Sequence, residues 1–175
     1  MCGIFGLITS KDSLYNERFL STSFKKLASL SQTRGKDSSG ICTIDHDANS
    51  IRVLRGPLPI KNIIKHDSLN TNLSLAFKNT NDIKYAFGHS RLVTNGTQLN
   101  DNNNQPVYKD GIVGVHNGII SNVDQLWDKY SHLNRKSDID TEILLSLIRD
   151  GINLNKNIHT SVTNALNKIE GTVAT

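Results

Sequence analysis

The order of strand-like and helix-like segments constrains the fold of this chain most. A short apolar run at residues 3–9 predicts a buried strand, and apolar side chains at helical spacing over residues 13–31 predict a helix. Strand-like runs follow at residues 41–44, 51–54 and 85–92. Because strands and helices do not alternate regularly, this order predicts an α+β fold with antiparallel sheets.

Two turn sequences support antiparallel pairing. Residues 45–50 predict a hairpin between the two strands that flank them, and Lys109-Asp110-Gly111 predicts a second hairpin. That second hairpin joins residues 107–108 to residues 112–116. Hairpins pair neighbouring strands directly, which agrees with the α+β class.

Two segments are weakly patterned. Residues 60–80 predict no more than a short helix at 61–66. The asparagine-rich segment 99–105 has no periodicity and is expected to be a surface loop, either ordered or mobile.

The last third of the chain has helical periodicity in three places. Helices are predicted from Asn122 through residue 130, from residue 137 or 138 to an end just before Gly151, and over residues 157–168. Residues 171–175 resemble the start of a strand. We therefore expect residues 1–175 to be one domain that is incomplete at its C-terminus, in a fragment of a longer protein.

Composition excludes several classes of function. The net charge is +4, but the basic residues are scattered and form no stripe with aromatic residues, so no nucleic-acid partner is expected. No apolar run approaches the roughly 20 residues of a membrane span.

Cys2 and Cys42 are the two cysteines, and a reactive Cys2 would leave no disulfide, which suggests a cytoplasmic protein. No spacing typical of a metal site and no glycine-rich phosphate loop is present, so no cofactor is expected.

The chain carries two elements of acyl-transfer chemistry. Cys2 becomes the first residue if Met1 is removed, which a small second residue permits. A terminal cysteine holds a thiol nucleophile and an α-amino group that can act as its base. Asn117-Gly118 follows an apolar run and can supply a side-chain amide and a backbone N–H to an oxyanion. The two elements are useful only if the fold brings them together.

Six motifs occur in an order that resembles a known family. They are Met1-Cys2-Gly3-Ile4-Phe5-Gly6, Arg34-Gly35-Lys36-Asp37-Ser38-Ser39-Gly40, Gly88-His89-Ser90-Arg91, Asn104-Gln105-Pro106, His116-Asn117-Gly118 and Ser137-Asp138-Ile139-Asp140-Thr141-Glu142. This set resembles the glutaminase domain of class II glutamine amidotransferases, which are N-terminal nucleophile (Ntn) hydrolases. The resemblance implies a four-layer αββα sandwich. It also implies that Cys2 hydrolyses L-glutamine to L-glutamate and ammonia through a glutamyl thioester.

The resemblance also implies how the substrate is held. Arg91 would bind the α-carboxylate, because a guanidinium presents two parallel donors to a carboxylate. Asp140 would pair with the α-ammonium group, although an acid near the start of a helix is also favourable without any ligand. Together, Arg91 and Asp140 would recognise a free amino acid, which argues against a different amide substrate.

Four further residues have supporting roles in the resemblance. Thr94 and Asn95 are implied as secondary substrate contacts. Arg34 is expected to brace the segment around the nucleophile, and Gly35 to serve a backbone requirement. His116 is interpreted as a buried core histidine.

The partners implied by the resemblance are L-glutamine and an ammonia-accepting synthase domain, in the same chain or in a partner chain. The acceptor would be of the amino-sugar or nucleotide type, and a homo-oligomer is possible. The alternative is a glutamine-binding module with the same fold and no turnover. Labelling of Cys2 by an electrophilic glutamine analogue distinguishes the two hypotheses.

Overall fold

The computed structural model describes residues 2–45, 48–78, 82–93, 97–155 and 157–175, with no side chain described for Asn155. The chain divides into two compact parts. We call Met1–Pro106 the N-terminal part and Val107–Thr175 the C-terminal part.

The N-terminal part is built around one antiparallel sheet. Its strands and helices are β1 (Gly3–Ile8), α1 (Glu17–Ser31), β2 (Ser38–Asp45), β3 (Ser50–Gly56), α2 (Ile60–Ile64), α3 (Asp67–Phe77) and β4 (Tyr85–Arg91). The four strands lie in the order β1-β4-β2-β3, and each neighbouring pair is antiparallel. The sheet places the beginning of β1 beside the end of β4, where Gly3 pairs with Ser90.

Helix α1 covers the sheet with one apolar face. Leu20, Phe24 and Ala28 recur at helical spacing and are buried. The helix begins at Glu17, later than predicted, because the side chain of Asn16 accepts a hydrogen bond from the backbone N–H of Phe19 at 2.9 Å.

The weak prediction for residues 60–80 was wrong in extent, because α2 and α3 occupy most of this segment. The buried face of α3 carries Leu69, Leu73 and Phe77 at helical spacing. Its other positions are mostly Asp, Ser, Asn and Thr, which are poor helix formers. Burial of the apolar face against the sheet therefore stabilises a helix that local propensity does not favour.

The C-terminal part consists of two short antiparallel pairs of strands and three helices among its described residues. These elements are β5 (Val107–Lys109), β6 (Ile112–Gly114), β7 (Asn117–Ile120), α4 (Val123–Lys129), α5 (Thr141–Asn155), α6 (Ile158–Leu166) and β8 (Gly171–Ala174). Strands β5 and β6 form the predicted hairpin. Strand β7 was not predicted, and it pairs with β8. The antiparallel sheets of both parts confirm the α+β class.

Helix α5 differs from its prediction at both ends. It begins at Thr141 and continues past Gly151 to Asn155. A side chain at Gly151 would place its Cβ 2.9 Å from the Cβ of Ser161 in α6. Gly151 therefore permits close packing of two helices, and it does not end α5.

Candidate active site

Cys2 lies directly before β1, beside the end of β4. Its thiol donates a hydrogen bond to the carbonyl oxygen of Leu92 at 3.5 Å, and the residue is half-buried. Because Gly3 pairs with Ser90, Cys2 and Arg91 occupy the same end of the sheet. The strand pairing thus brings the predicted nucleophile next to the predicted carboxylate-binding residue.

The segment 34–37 supports this end of the sheet. A Cβ on Gly35 would lie 2.3 Å from the carbonyl carbon of Arg91, so a glycine is required by the close approach of two backbones. Asp37 holds the backbone at the end of β4 through two hydrogen bonds. Its backbone N–H donates to the carbonyl oxygen of Arg91 at 3.0 Å, and its side-chain Oδ2 accepts the backbone N–H of Val93 at 2.8 Å. Asp37 had no assigned role in the sequence analysis, although its motif was identified.

The aliphatic stem of Arg34 lies beside Gly3, the residue that follows Cys2. A Cβ on Gly3 would lie 3.1 Å from the Cβ of Arg34. The bracing role of Arg34 stays a prediction.

Arg91 is buried, with 4% of its surface exposed. Its Nη1 donates a hydrogen bond to the carbonyl oxygen of Asn103 at 2.6 Å. Asn103 is itself buried, and its Nδ2 donates to the carbonyl oxygen of Thr97 at 3.1 Å. The asparagine-rich segment is thus partly internal, because its side-chain amides donate hydrogen bonds to backbone carbonyl oxygens. The prediction of a surface loop was wrong for Asn103 and Asn104, which are buried. Thr94 and Asn95 lie outside the described residues.

In the C-terminal part, Asn117 and Gly118 open β7. Gly118 has a φ of +154°, and a Cβ there would lie 1.9 Å from the carbonyl oxygen of Thr172 in β8. Only glycine fits this position. We call these first two residues of β7 the Asn117–Gly118 corner. Asn117 is half-buried and Gly118 is exposed, so this corner borders solvent.

Asp140 lies beside the same corner. Its Oδ2 accepts the backbone N–H of Ile120 at 3.0 Å, and its Oδ1 lies 3.4 Å from Nδ1 of His116. The opposite nitrogen of His116, Nε2, is 3.4 Å from the carbonyl oxygen of Thr172. Buried His116 therefore joins the carboxylate to the β7–β8 pair, which gives the predicted core histidine a defined place.

The environment of Asp140 favours its charged form. Burial alone would raise the pKa of its carboxyl group, but hydrogen bonds from His116, Ile120 and Thr141 together outweigh burial and lower that pKa. Its side chain remains 15% exposed. The result is an anionic carboxylate that a cationic group can approach.

Glu142 and Lys109 form a buried ion pair that the sequence analysis did not predict. Glu142 Oε1 and Lys109 Nζ are 2.9 Å apart, and each side chain is 3% exposed. The alternation of side chains along β5 could have indicated that Lys109 is buried. Val107 is buried and Tyr108 is exposed, so the side chain of Lys109 points inward.

Replacing Glu142 with glutamine should reduce the loss of stability at low pH. Burial raises the pKa of Glu142, but hydrogen bonds from Lys109, Ser137 and Lys136 outweigh it, so the pKa lies below its ordinary value of 4.5. The contribution of the carboxylate to stability is therefore present above about pH 4.5 and is lost as the pH falls through the folded-state pKa. Glu142→Gln should also cost about 3 kcal/mol at neutral pH, because buried Lys109 is left with only the half-exposed carboxylate of Asp110, 4.0 Å away, as its counter-ion.

Urea unfolding at about pH 7 and about pH 4 checks this prediction. The difference in unfolding free energy between the two pH values should be smaller in the variant than in the wild type. Equal differences would show that Glu142 does not titrate as its contacts indicate.

The described ranges contain no candidate metal centre, since no three His, Cys, Asp or Glu residues within them form a group that could hold a metal ion. None of the helices in these ranges combines the length and the apolar character that crossing a membrane requires.

Comparisons with known proteins agree with the motifs. A family profile described as a glutamine amidotransferase domain matches residues 89–175. The chain is 32% identical to the glutamine–fructose-6-phosphate aminotransferase (isomerizing) of Wigglesworthia glossinidia brevipalpis over 171 residues, covering 97% of this chain and 25% of that protein. It is 32% identical to the protein of the same name from Thermococcus kodakarensis over 180 residues, covering 99% of this chain and 26% of that protein. The chain thus spans about a quarter of the length of these relatives.

Two solved structures resemble the chain over 98% of its length. One is glutamine phosphoribosylpyrophosphate amidotransferase from B. subtilis complexed with ADP and GMP, with a TM-score of 0.69, 24% identity and 34% of that chain covered. The other is described as the allosteric regulatory enzyme of purine biosynthesis, with a TM-score of 0.71, 24% identity and 34% of that chain covered. These similarities show that the chain shares the fold of the matched part of these two structures. The motifs, the profile match and the shared fold agree, and residues 89–175 belong to a class II glutamine amidotransferase domain.

Proposed function

We propose that this chain is a glutaminase domain that hydrolyses L-glutamine and supplies ammonia to a synthase domain. One observation carries the proposal: in each part, a proposed reacting group lies close to a charged side chain suited to one end of an amino acid. In the N-terminal part, Cys2 and Arg91 share one end of the sheet. In the C-terminal part, Asn117 and Gly118 open β7, and the carboxylate of Asp140 binds the N–H of Ile120 in the same strand.

The proposed reaction begins after removal of Met1. The thiol of Cys2 transfers its proton to the α-amino group of the same residue, and Sγ attacks the carboxamide carbon of glutamine. The C–N bond then breaks, the amino group returns the proton to the leaving nitrogen, and ammonia departs from a glutamyl thioester. Water attacks the thioester with the amino group as base, which releases glutamate and restores the thiol.

Asn117 and Gly118 stabilise both tetrahedral intermediates in this proposal. The side-chain amide of Asn117 and the backbone N–H of Gly118 would donate to the oxygen that becomes negative. Gly118 allows this arrangement because its φ of +154° is strained for other residues.

The remaining residues bind glutamine or support those that do. Arg91 would take the α-carboxylate and Asp140 the α-ammonium group, with Thr94 and Asn95 as secondary contacts. Gly35 supports this assignment because it lets segment 34–37 approach the backbone of Arg91.

The ammonia acceptor is proposed to lie in a synthase domain of the same or a partner chain, with residues 1–175 as the glutaminase unit. Two similar proteins are named glutamine–fructose-6-phosphate aminotransferase, and a similar structure is a phosphoribosylpyrophosphate amidotransferase. These names support an acceptor of the amino-sugar or nucleotide type.

Covalent labelling tests the proposal. An L-glutamine analogue with an electrophilic diazoketone side chain should form one adduct per chain at Cys2, detected by intact and peptide mass spectrometry. Excess L-glutamine should protect Cys2, and D-glutamine should not. Reversible binding with no adduct would favour a binding module without turnover. Full activity of a protein that retains Met1 would contradict the role of the α-amino group.

A further inference from the structure

The carboxylate of Glu142 holds the segment that leads to Asp140. It accepts hydrogen bonds from the backbone N–H of Lys136 at 2.9 and 3.0 Å and from the backbone N–H of Ser137 at 2.7 Å. The hydroxyl of Ser137 donates a further bond at 2.7 Å. One side chain in the first turn of α5 therefore closes a loop over residues 136–142, and Asp140 lies inside that loop.

Lys109 connects this loop to the β5–β6 hairpin. Its ammonium group bonds both Oε1 of Glu142, at 2.9 Å, and the carbonyl oxygen of Asn134. Both charged side chains are almost completely buried. Because desolvation offsets much of the attraction in a buried pair, the pair is weak evidence for added stability, whereas its hydrogen bonds do fix the geometry of this segment.

Asp140 is held from two sides. On one side, Ile120 and His116 contact its two carboxylate oxygens. On the other side, the backbone of its loop is closed by Glu142 and anchored by buried Ile139, which packs with Val107 and Leu145. The placement of the carboxylate therefore depends on groups that do not touch it.

We propose that Glu142 and Lys109 are positioning residues. They hold the carboxylate of Asp140 where it can pair with the α-ammonium group of a ligand, and so they make binding selective for α-amino acids. This inference rests on the proposed function, because it assumes that Asp140 meets the α-ammonium group of glutamine. The ion pair sets the direction of that carboxylate and leaves recognition of the rest of the ligand unchanged.

The test compares two ligands that differ only in the amino group. Dissociation constants for L-glutamine and for glutaramate, its deamino analogue, are measured by calorimetry in a Cys2→Ala background, which prevents turnover. Without further changes, L-glutamine should bind about tenfold to a hundredfold more tightly, as expected for a charged hydrogen bond. Glu142→Gln and Lys109→Met should each reduce this ratio about tenfold, and affinity for glutaramate should stay the same.

Three further variants isolate the positioning role. Asp140→Asn should abolish the preference for L-glutamine, and adding Glu142→Gln to it should change the ratio no further. Ser137→Ala removes one of the donors and keeps the ion pair, so it should lower the ratio about twofold to fivefold even if the other variants fold poorly. Asp45→Asn is the matched control, because Asp45 is also a buried carboxylate in an ion pair, but it lies in β2 of the N-terminal part and pairs with Arg52.

The outcomes separate the inference from the function on which it rests. If Asp140→Asn keeps the full preference for L-glutamine, or if neither ligand binds, the proposed function is wrong. If Asp140→Asn abolishes the preference but Lys109→Met and Ser137→Ala leave it intact, the positioning role is wrong. Equal weakening of both ligands by Glu142→Gln and Lys109→Met would show a general structural role and would also overturn the inference.

Discussion

Replacing Cys2 with alanine should abolish the release of ammonia from glutamine. The sulfur is the only proposed nucleophile, and loss of a nucleophile that acts together with its base lowers kcat on the order of 10⁶-fold. The other cysteine is unsuited to replace it. Cys42 is buried in β2, and burial raises the pKa of its thiol to about 12, so it remains protonated at neutral pH.

Cys42→Ala is therefore the matched control for Cys2→Ala. Both variants lose one thiol, but Cys42→Ala should retain the glutaminase rate within about twofold, with a modest loss of stability from the small cavity. A coupled assay for ammonia and glutamate measures the rates, and mass spectrometry shows whether each variant still forms the adduct. Turnover by Cys2→Ala, or an equal loss in Cys42→Ala, would refute the assignment of the nucleophile.

Replacing Gly118 with alanine should be the next most damaging change. Its Cβ would overlap the carbonyl oxygen of Thr172 at 1.9 Å, and the φ of +154° is unfavourable for alanine. The backbone strain costs about 1–3 kcal/mol, and relief of the overlap requires β7 to move away from β8. Because the same residue is proposed to donate to the oxyanion, the rate should fall on the order of 10²–10³-fold.

Two companion variants separate backbone strain from lost catalysis. Gly56→Ala should leave both stability and rate nearly unchanged, since no described atom lies within 4 Å of the added Cβ. Asn117→Ala removes one proposed donor and keeps Gly118, so it should lower the rate on the order of 10²–10³-fold with little change in thermal stability. Wild-type stability and rate in Gly118→Ala would show that the corner is neither strained nor catalytic.

Local pattern was enough to predict those elements whose signals lie within a few residues. The alternation and turn around Lys109-Asp110-Gly111 predicted the β5–β6 hairpin, and apolar spacing predicted α1 and most of α5. The motifs around Cys2, Asn117 and Asp140 are also short and contiguous, so they were sufficient to indicate the family that the profile match confirms.

The tertiary structure alone decided which distant polar groups meet. Strand β7 exists because it pairs with β8, more than fifty residues along the chain, and no local pattern reports such a partner. Glu142 likewise meets Lys109 from 33 residues away in the sequence, and buried Asn103 offers its carbonyl oxygen to Arg91. Local periodicity indicates which face of a segment is apolar. Hydrogen bonds between distant segments depend on distances that only the folded chain defines, so periodicity does not predict them.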